Sequence, residues 1–241
     1  LSRGKYSTGI FPEIKYTYNR VEPTGWTSTH KFYPESYHAL TYRLYHYHLL
    51  RQSSQNLMPR WGYQLDLVLR HTPFAGKDLG MLKGIQTIVY FPGFTKNGGF
   101  RIYQGYQQNA YSQSSAFGNF VRSPRGIRGY QNNEMYSLAT DYRMPLAYPD
   151  MNIGKLVYLK RIKSSLFYDY AWLSVPVYDR NHELIPNHHQ VIFNSLGLEL
   201  NSDLHFLRFF APFEIGFRSI YLPDSNSFRF NLLFSVDFNA F

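Results

Sequence analysis

The chain has 241 residues and a formal charge of +9, with aromatic residues at 19% and charged residues at only 17%. Ordinary soluble domains carry about 25% charged residues. No run approaches the roughly 18 apolar residues of a membrane helix, and the absence of cysteine removes disulfides and thiolate metal sites. The basic residues are scattered rather than clustered, which argues against nucleic acid as a partner.

An excess of Tyr (22) and Phe (20) with little charge suits a surface facing lipid between aromatic girdles. A mean hydropathy of −0.37 is compatible with that reading, because a barrel strand turns only alternate residues to the bilayer. The expected fold is all-β: a transmembrane antiparallel up-and-down barrel of about ten strands. No charged-then-apolar leader precedes the first strand, as expected of a mature product or the C-terminal part of something longer.

Alternation of apolar and polar residues recurs about ten times, separated by turn chemistry. Before the middle of the chain it predicts strands over Ile10–Asn19, Ala39–Leu50, Gly62–His71, Ile85–Phe91 and Phe100–Gln107. In Gly62–His71, Tyr63, Leu65, Leu67 and Leu69 oppose Gln64, Asp66 and Arg70. After the middle, strands are predicted over Met135–Pro145, Leu156–Trp172, Val191–Asn201, Phe213–Tyr221 and Phe228–Phe238. The last is the sharpest, with Phe228, Phe230, Leu232, Phe234, Val236 and Phe238 opposing Arg229, Asn231, Ser235 and Asp237. Asn231, Phe234, Val236 and Phe238 make it resemble an outer-membrane targeting strand. Long connections at 21–36, 72–83, 109–131 and 173–187 largely alternate with shorter ones, as external loops alternate with periplasmic turns. The short 222–227 connection breaks the trend.

The segment at 109–131 is Gly- and Ser-rich and contains Arg-Gly-Ile-Arg-Gly-Tyr at residues 125–130. Two acids follow on strand-like segments, Asp141 and Asp169. On its strand Asp141 shares a side with Ser137 and Ala139, and Asp169 shares one with Arg161, Lys163 and Ser165. A loop arginine followed by two strand carboxylates suggests a loop folded into a barrel and pinned there by charge. Arg128 is the expected anchor, since a planar five-donor fork can serve two carboxylates. Gly129 is expected to allow close approach or a positive φ, and Tyr130 to pack against the wall.

These segments resemble the outer-membrane barrel-assembly and polypeptide-secretion superfamily, the bacterial surface antigen family of BamA- and TamA-like barrels. The family's loop motif, an aliphatic residue, Arg-Gly and an aromatic, stands here as Ile127, Arg128, Gly129 and Tyr130. Its acid-aromatic-x-x-Pro strand is matched by Asp141, Tyr142 and Pro145, with aspartate where glutamate is more usual. Its aromatic-rich strand is matched by Phe167, Tyr168, Asp169 and Tyr170, with Ala171 where the family carries glycine. The resemblance implies a sixteen-stranded barrel of which this chain supplies the C-terminal ten strands, in the bacterial outer membrane. It implies insertion or translocation of polypeptides, with nascent outer-membrane or exported proteins as clients, the lipid bilayer as surroundings and other envelope subunits as partners. A barrel anchor or scaffold without insertase activity, or a passive pore, would leave much of the same pattern.

Enzymatic chemistry has little support. No Gly-x-Ser-x-Gly, phosphate loop or zinc-hydrolase signature occurs, and Glu13 and Asp66 are not placed as an acid/base pair. His46 with His48 on one strand face, and His188 with His189 in an expected loop, lack a third ligand. No cofactor or metal is expected.

Overall fold

A computed structural model describes residues 4–20, 36–53, 55–74, 80–110, 117–128, 130, 132–178, 184–206 and 212–236. The strands are β1 (Tyr6–Arg20), β2 (Ser36–Leu50), β3 (Gly62–His71), β4 (Met81–Pro92), β5 (Gly99–Ala110) and β6 (Glu134–Ala147). They continue with a short β7 (Met151–Ile153), β8 (Val157–Tyr178), β9 (Leu184–Phe206), β10 (Phe213–Leu222) and β11 (Ser227–Val236). They form one antiparallel up-and-down sheet in chain order, with β7 pairing off the path onto β8. The sheet is not closed: β1 and β11 stand at its two ends with one neighbour each. Among the described residues there is no α-helix.

All ten predicted strands are present. Gly62–His71 has the expected bounds, and most of the others run longer than their clean alternation. The largest difference lies at 173–187, expected as a long connection. There β8 continues to Tyr178 and β9 begins at Leu184, so His188 and His189 lie on a strand rather than in a loop. Prolines had obscured this stretch. Pro176 stands where the β8–β9 register shifts, and the pairing passes from His188 to Ile185 across Pro186. A bulge absorbs the missing donor. Pro145 sits at the equivalent shift between β6 and β8, and Pro12 lies on the end strand β1, where an absent N–H need not break a ladder.

Alternation sorts the side chains onto two contrasting faces. On one face, called outer here, Leu196, Leu198 and Leu200 of β9, Ile215 and Phe217 of β10, and Phe228, Phe230 and Phe234 of β11 are all exposed, and Leu232 is 88% exposed. On the inner face lie Asp141, Asp169, Ser195 and Glu199, all buried. A one-residue slip anywhere would exchange the two sets, so the contrast fixes the register. Polarity is thus inverted relative to a water-soluble β-protein, whose apolar faces meet inside.

The inner face is built in rows across the strands. Arg143, Ser165, Glu199 and Arg218 are neighbours in one row, and Arg101, Asp141, Phe167, Gly197 and Ile220 form the next. The following row holds Tyr103, Ala139, Asp169 and Ser195; the ladder sets its spacing. At one end the β2–β3 connection crosses the sheet. Leu57 donates to the Asn97 carbonyl at 3.2 Å, Met58 is buried over Gly99, and Arg161 and Tyr148 both donate to the Gln55 carbonyl.

Candidate functional site

The connection between β5 and β6 turns back onto the inner face. Its described part, from residue 117 onward, lies over β4, β5, β6, β8, β9 and β10. Two strand glycines make room. A side chain at Gly84 would meet the Phe120 ring at 2.5 Å, and one at Gly105 would meet Val121 at 2.8 Å. A glycine inside a strand marks close backbone approach, and here it is the loop that approaches. Tyr103, Val121, Met135, Ala171 and Leu173 then close into an apolar cluster beneath the loop.

Side chains of β5 satisfy the loop backbone. The carboxamide oxygen of Gln107 accepts hydrogen bonds from the backbone N–H groups of Phe120 (2.8 Å) and Val121 (2.9 Å). Its amide nitrogen donates to Asn119 Oδ1 at 2.8 Å and to Asn132 Oδ1 at 2.9 Å. The Tyr103 hydroxyl accepts from the Arg122 N–H and donates to Gln86 Oε1, both at 3.0 Å. A loop laid on a sheet would otherwise bury unpaired backbone groups; these two side chains supply the partners a ladder would have given.

Charge holds the next turn. The guanidinium of Arg125 donates from Nε to Asp169 Oδ2 (2.9 Å) and from Nη2 to Asp169 Oδ1 (2.8 Å), a bidentate pairing. The Arg125 backbone N–H donates to the same carboxylate at 2.9 Å. Its Nη1 stands 2.8 Å from Asp141 Oδ1 and donates to Glu199 Oε1 at 3.1 Å. Asp141 is held from its other side by Arg101, at 2.7 and 2.9 Å, and Glu199 by Arg218 at 2.7 Å. The guanidinium plane lies over the Phe167 ring, 3.8 Å from its centroid. Phe167 can lie flat there because Gly197 is its neighbour, and a Cβ on Gly197 would meet the ring at 2.6 Å.

Desolvation opposes the Arg125 charge, but the carboxylates of Asp169 and Asp141 outweigh it and hold its pKa above the ordinary arginine value. A raised pKa contributes stability that is fully present below the unfolded value and is lost only as pH rises through the folded one. The Arg125 guanidinium therefore stays charged throughout the range in which a protein is handled.

The carboxylates are the two expected, but the arginine is not. Asp141 and Asp169 are brought together, 1% and 2% exposed, around Arg125, whereas Arg128 is exposed. The physical reason is the turn between them. Ile127 N–H donates to the Pro124 carbonyl at 3.2 Å, and Gly126 adopts φ 80°. The turn sends Ile127 against Phe167, Ile220 and Leu222 and carries Arg128 outward. Arg128 instead lines a cavity of about 470 Å³ with Tyr130, Asn194, Asp224 and Arg229. Tyr130 stacks on Phe193 with centroids 5.1 Å apart, in keeping with the expected wall contact. Gly129 and Phe238 lie outside the described residues. Asn231 faces inward opposite Arg218, while Phe234 faces outward and Val236 ends β11.

Three participants were missed: Arg125, Glu199 and Gln107. Arg125 stands in the same Arg-Gly repeat three residues earlier and follows a proline. Glu199 has the signal of an acid flanked by outward Leu198 and Leu200. Gln107 carried none, since a glutamine at the inward position of a strand is unremarkable until the loop above it is placed.

A second cluster lies further along the inner face. Asp203 is gripped by Arg161 Nε at 2.7 Å and Lys163 Nζ at 2.8 Å, and Lys163 reaches Glu214 at 2.8 Å. A third pairs Arg43 bidentately with Asp66 at 2.8 and 2.6 Å. His48 Nδ1 is hydrogen-bonded to Thr8 Oγ1 at 2.7 Å, and its ring stacks on Tyr6. Among the described residues no group of three or more His, Asp or Glu is placed to hold a metal ion.

Compared with known proteins, the chain matches no family model, no curated protein and no solved structure.

Proposed function

We propose that this chain is the C-terminal part of an outer-membrane β-barrel of the assembly and secretion superfamily, which inserts polypeptides into that membrane or passes them across it. The observation that carries the reading is a conjunction: a loop pinned to the charged inner face by Arg125, in a sheet whose outer face is exposed and apolar. Lipid is the solvent in which such an outer face is favourable, and strands are the elements that can cross it with every backbone group paired. Aromatic stacks near both strand ends support the same reading. Trp61 with Phe91, and Phe94 with Phe100 and Tyr142, lie toward the short-turn end. Tyr16 with His38 and Phe74, and Tyr42 with His71, lie toward the other. Interfacial girdles have this arrangement.

Polypeptide handling, rather than passive flow, is what the resemblance of the Ile127–Tyr130 loop and the Asp141 and Asp169 strands to the assembly and secretion superfamily implies, and the β11 edge is where it would act. The unpaired edge of β11 offers backbone donors and acceptors to an incoming strand, the physics of strand addition. The test is depletion of the full-length protein in its own cell. Joint loss of many outer-membrane barrels is expected of insertion, and loss of one exported protein of translocation. An unchanged outer-membrane protein profile with altered small-solute permeability would replace the proposal with a pore.

A further inference from the structure

The latch leaves positive charge in excess. Beneath residues 122–125 lies a cavity of about 230 Å³, lined by Arg101, Arg122, Arg125, Arg143 and Arg218. Asp169 and Glu199 also line it, and Asp141 pairs with Arg101 and Arg125 from behind. Five guanidinium groups therefore meet three carboxylates. Arg125, Arg101 and Arg218 have ion-pair partners. Among the described residues, Arg143 and Arg122 have no carboxylate at ion-pair distance; Arg122 lies over the Tyr103 ring at 5.1 Å. Next to Arg143 in the same row is Ser165, 3% exposed, whose hydroxyl has no hydrogen-bond partner among the described residues.

We infer that this cavity binds a small tetrahedral oxyanion, inorganic phosphate or its equivalent, between Arg143 of β6 and Arg122 of the infolded loop. Both guanidinium groups line the same cavity, and a dianion between them would supply acceptors for both forks. The volume is ample for one such ion together with water. The source is soluble rather than lipid, because the cavity opens on the inner face and the sheet separates it from the outer apolar surface. Since Arg122 belongs to the loop and Arg143 to the wall, occupancy would tighten the loop against β6.

The test is calorimetric titration of the folded full-length protein in detergent micelles with inorganic phosphate, against chloride at matched ionic strength. A saturable one-to-one signal is expected. Arg143→Gln should weaken it at least tenfold and Arg122→Gln at least threefold, while Lys96→Gln, which removes an exposed charge in the β4–β5 turn, should stay within twofold. Arg122 is exposed, so its variant keeps the test sharp if Arg143→Gln does not fold. No saturable signal, equal binding by the Arg variants, or an equal loss in Lys96→Gln would overturn the site. Binding confined to micelles doped with a phosphatidic acid, with none of free phosphate, would overturn the soluble source.

Discussion

At the scale of single residues, the latch is an asymmetric device. Arg125 serves Asp169, Asp141 and Glu199 together, and among the described residues no other cation pairs with Asp169, so deleting it strands that buried charge where solvent cannot compensate. Breaking a buried pair from one side costs about 3–5 kcal/mol. Arg125→Ala should lose that much in urea unfolding from detergent micelles, and Arg125→Lys should recover only part of it, since an ammonium cannot reproduce the bidentate fork. Arg128→Ala, at an exposed position, should stay within about 0.5 kcal/mol of the parent. Equal losses from the two alanine variants would contradict the assignment.

The same pair shows how far the sequence could be read. The carboxylates were legible because alternation alone puts Asp141 and Asp169 on the polar side of their strands. The arginine was not, because two Arg-Gly steps stand three residues apart and only the turn at Pro124–Ile127 decides which guanidinium points inward. That turn is fixed by Ile127 packing on Ile220 and Leu222, residues about a hundred positions away. No local pattern encodes such a contact.

At the scale of elements, the loop depends on β5 as much as on charge. Gln107 makes four hydrogen bonds to loop and flank, two of them to backbone N–H groups. Gln107→Leu keeps the size but leaves those donors unpaired, at about 1–3 kcal/mol for each buried group. The expected outcome is a loop that trypsin cuts after Arg122 in the micelle-folded protein, with the strands still protected; a loop as resistant as the parent's would count against this anchoring. A bulkier residue at Gly84 tests the same contact from the other strand. Gly84→Val places methyl groups where Phe120 now lies and should displace the loop with a similar protease signature.

Strand positions were readable wherever alternation was uninterrupted, and lost where proline intervened. Around Pro176 and Pro186 the missing donors suggest a loop, and the chain answers with bulged pairing that carries β8 and β9 past them. Long-range pairing with a neighbouring strand overrides a local breaker at the cost of one bulge.

At the scale of the whole molecule, the arrangement is inverted, with the ion pairs on the inner face and exposed hydrocarbon on the outer. Water would destabilise it, since exposed Leu232, Ile14 and the β11 phenylalanines each forgo about 1.5–3 kcal/mol of burial. Transfer from detergent to detergent-free buffer should therefore aggregate the protein, as read by light scattering, rather than yield a stable monomer. The two unpaired edges, β1 and β11, add to that tendency.

The most direct test uses the chain's lack of cysteine. Single cysteines placed in turn from Phe228 to Val236, each spin-labelled in a reconstituted lipid bilayer, report accessibility to oxygen dissolved in lipid and to a water-soluble nickel chelate. A period of two is expected, with oxygen favoured at 228, 230, 232 and 234 and the chelate favoured at 229, 231 and 235. Uniform chelate access along the strand, or the opposite phase, would contradict it.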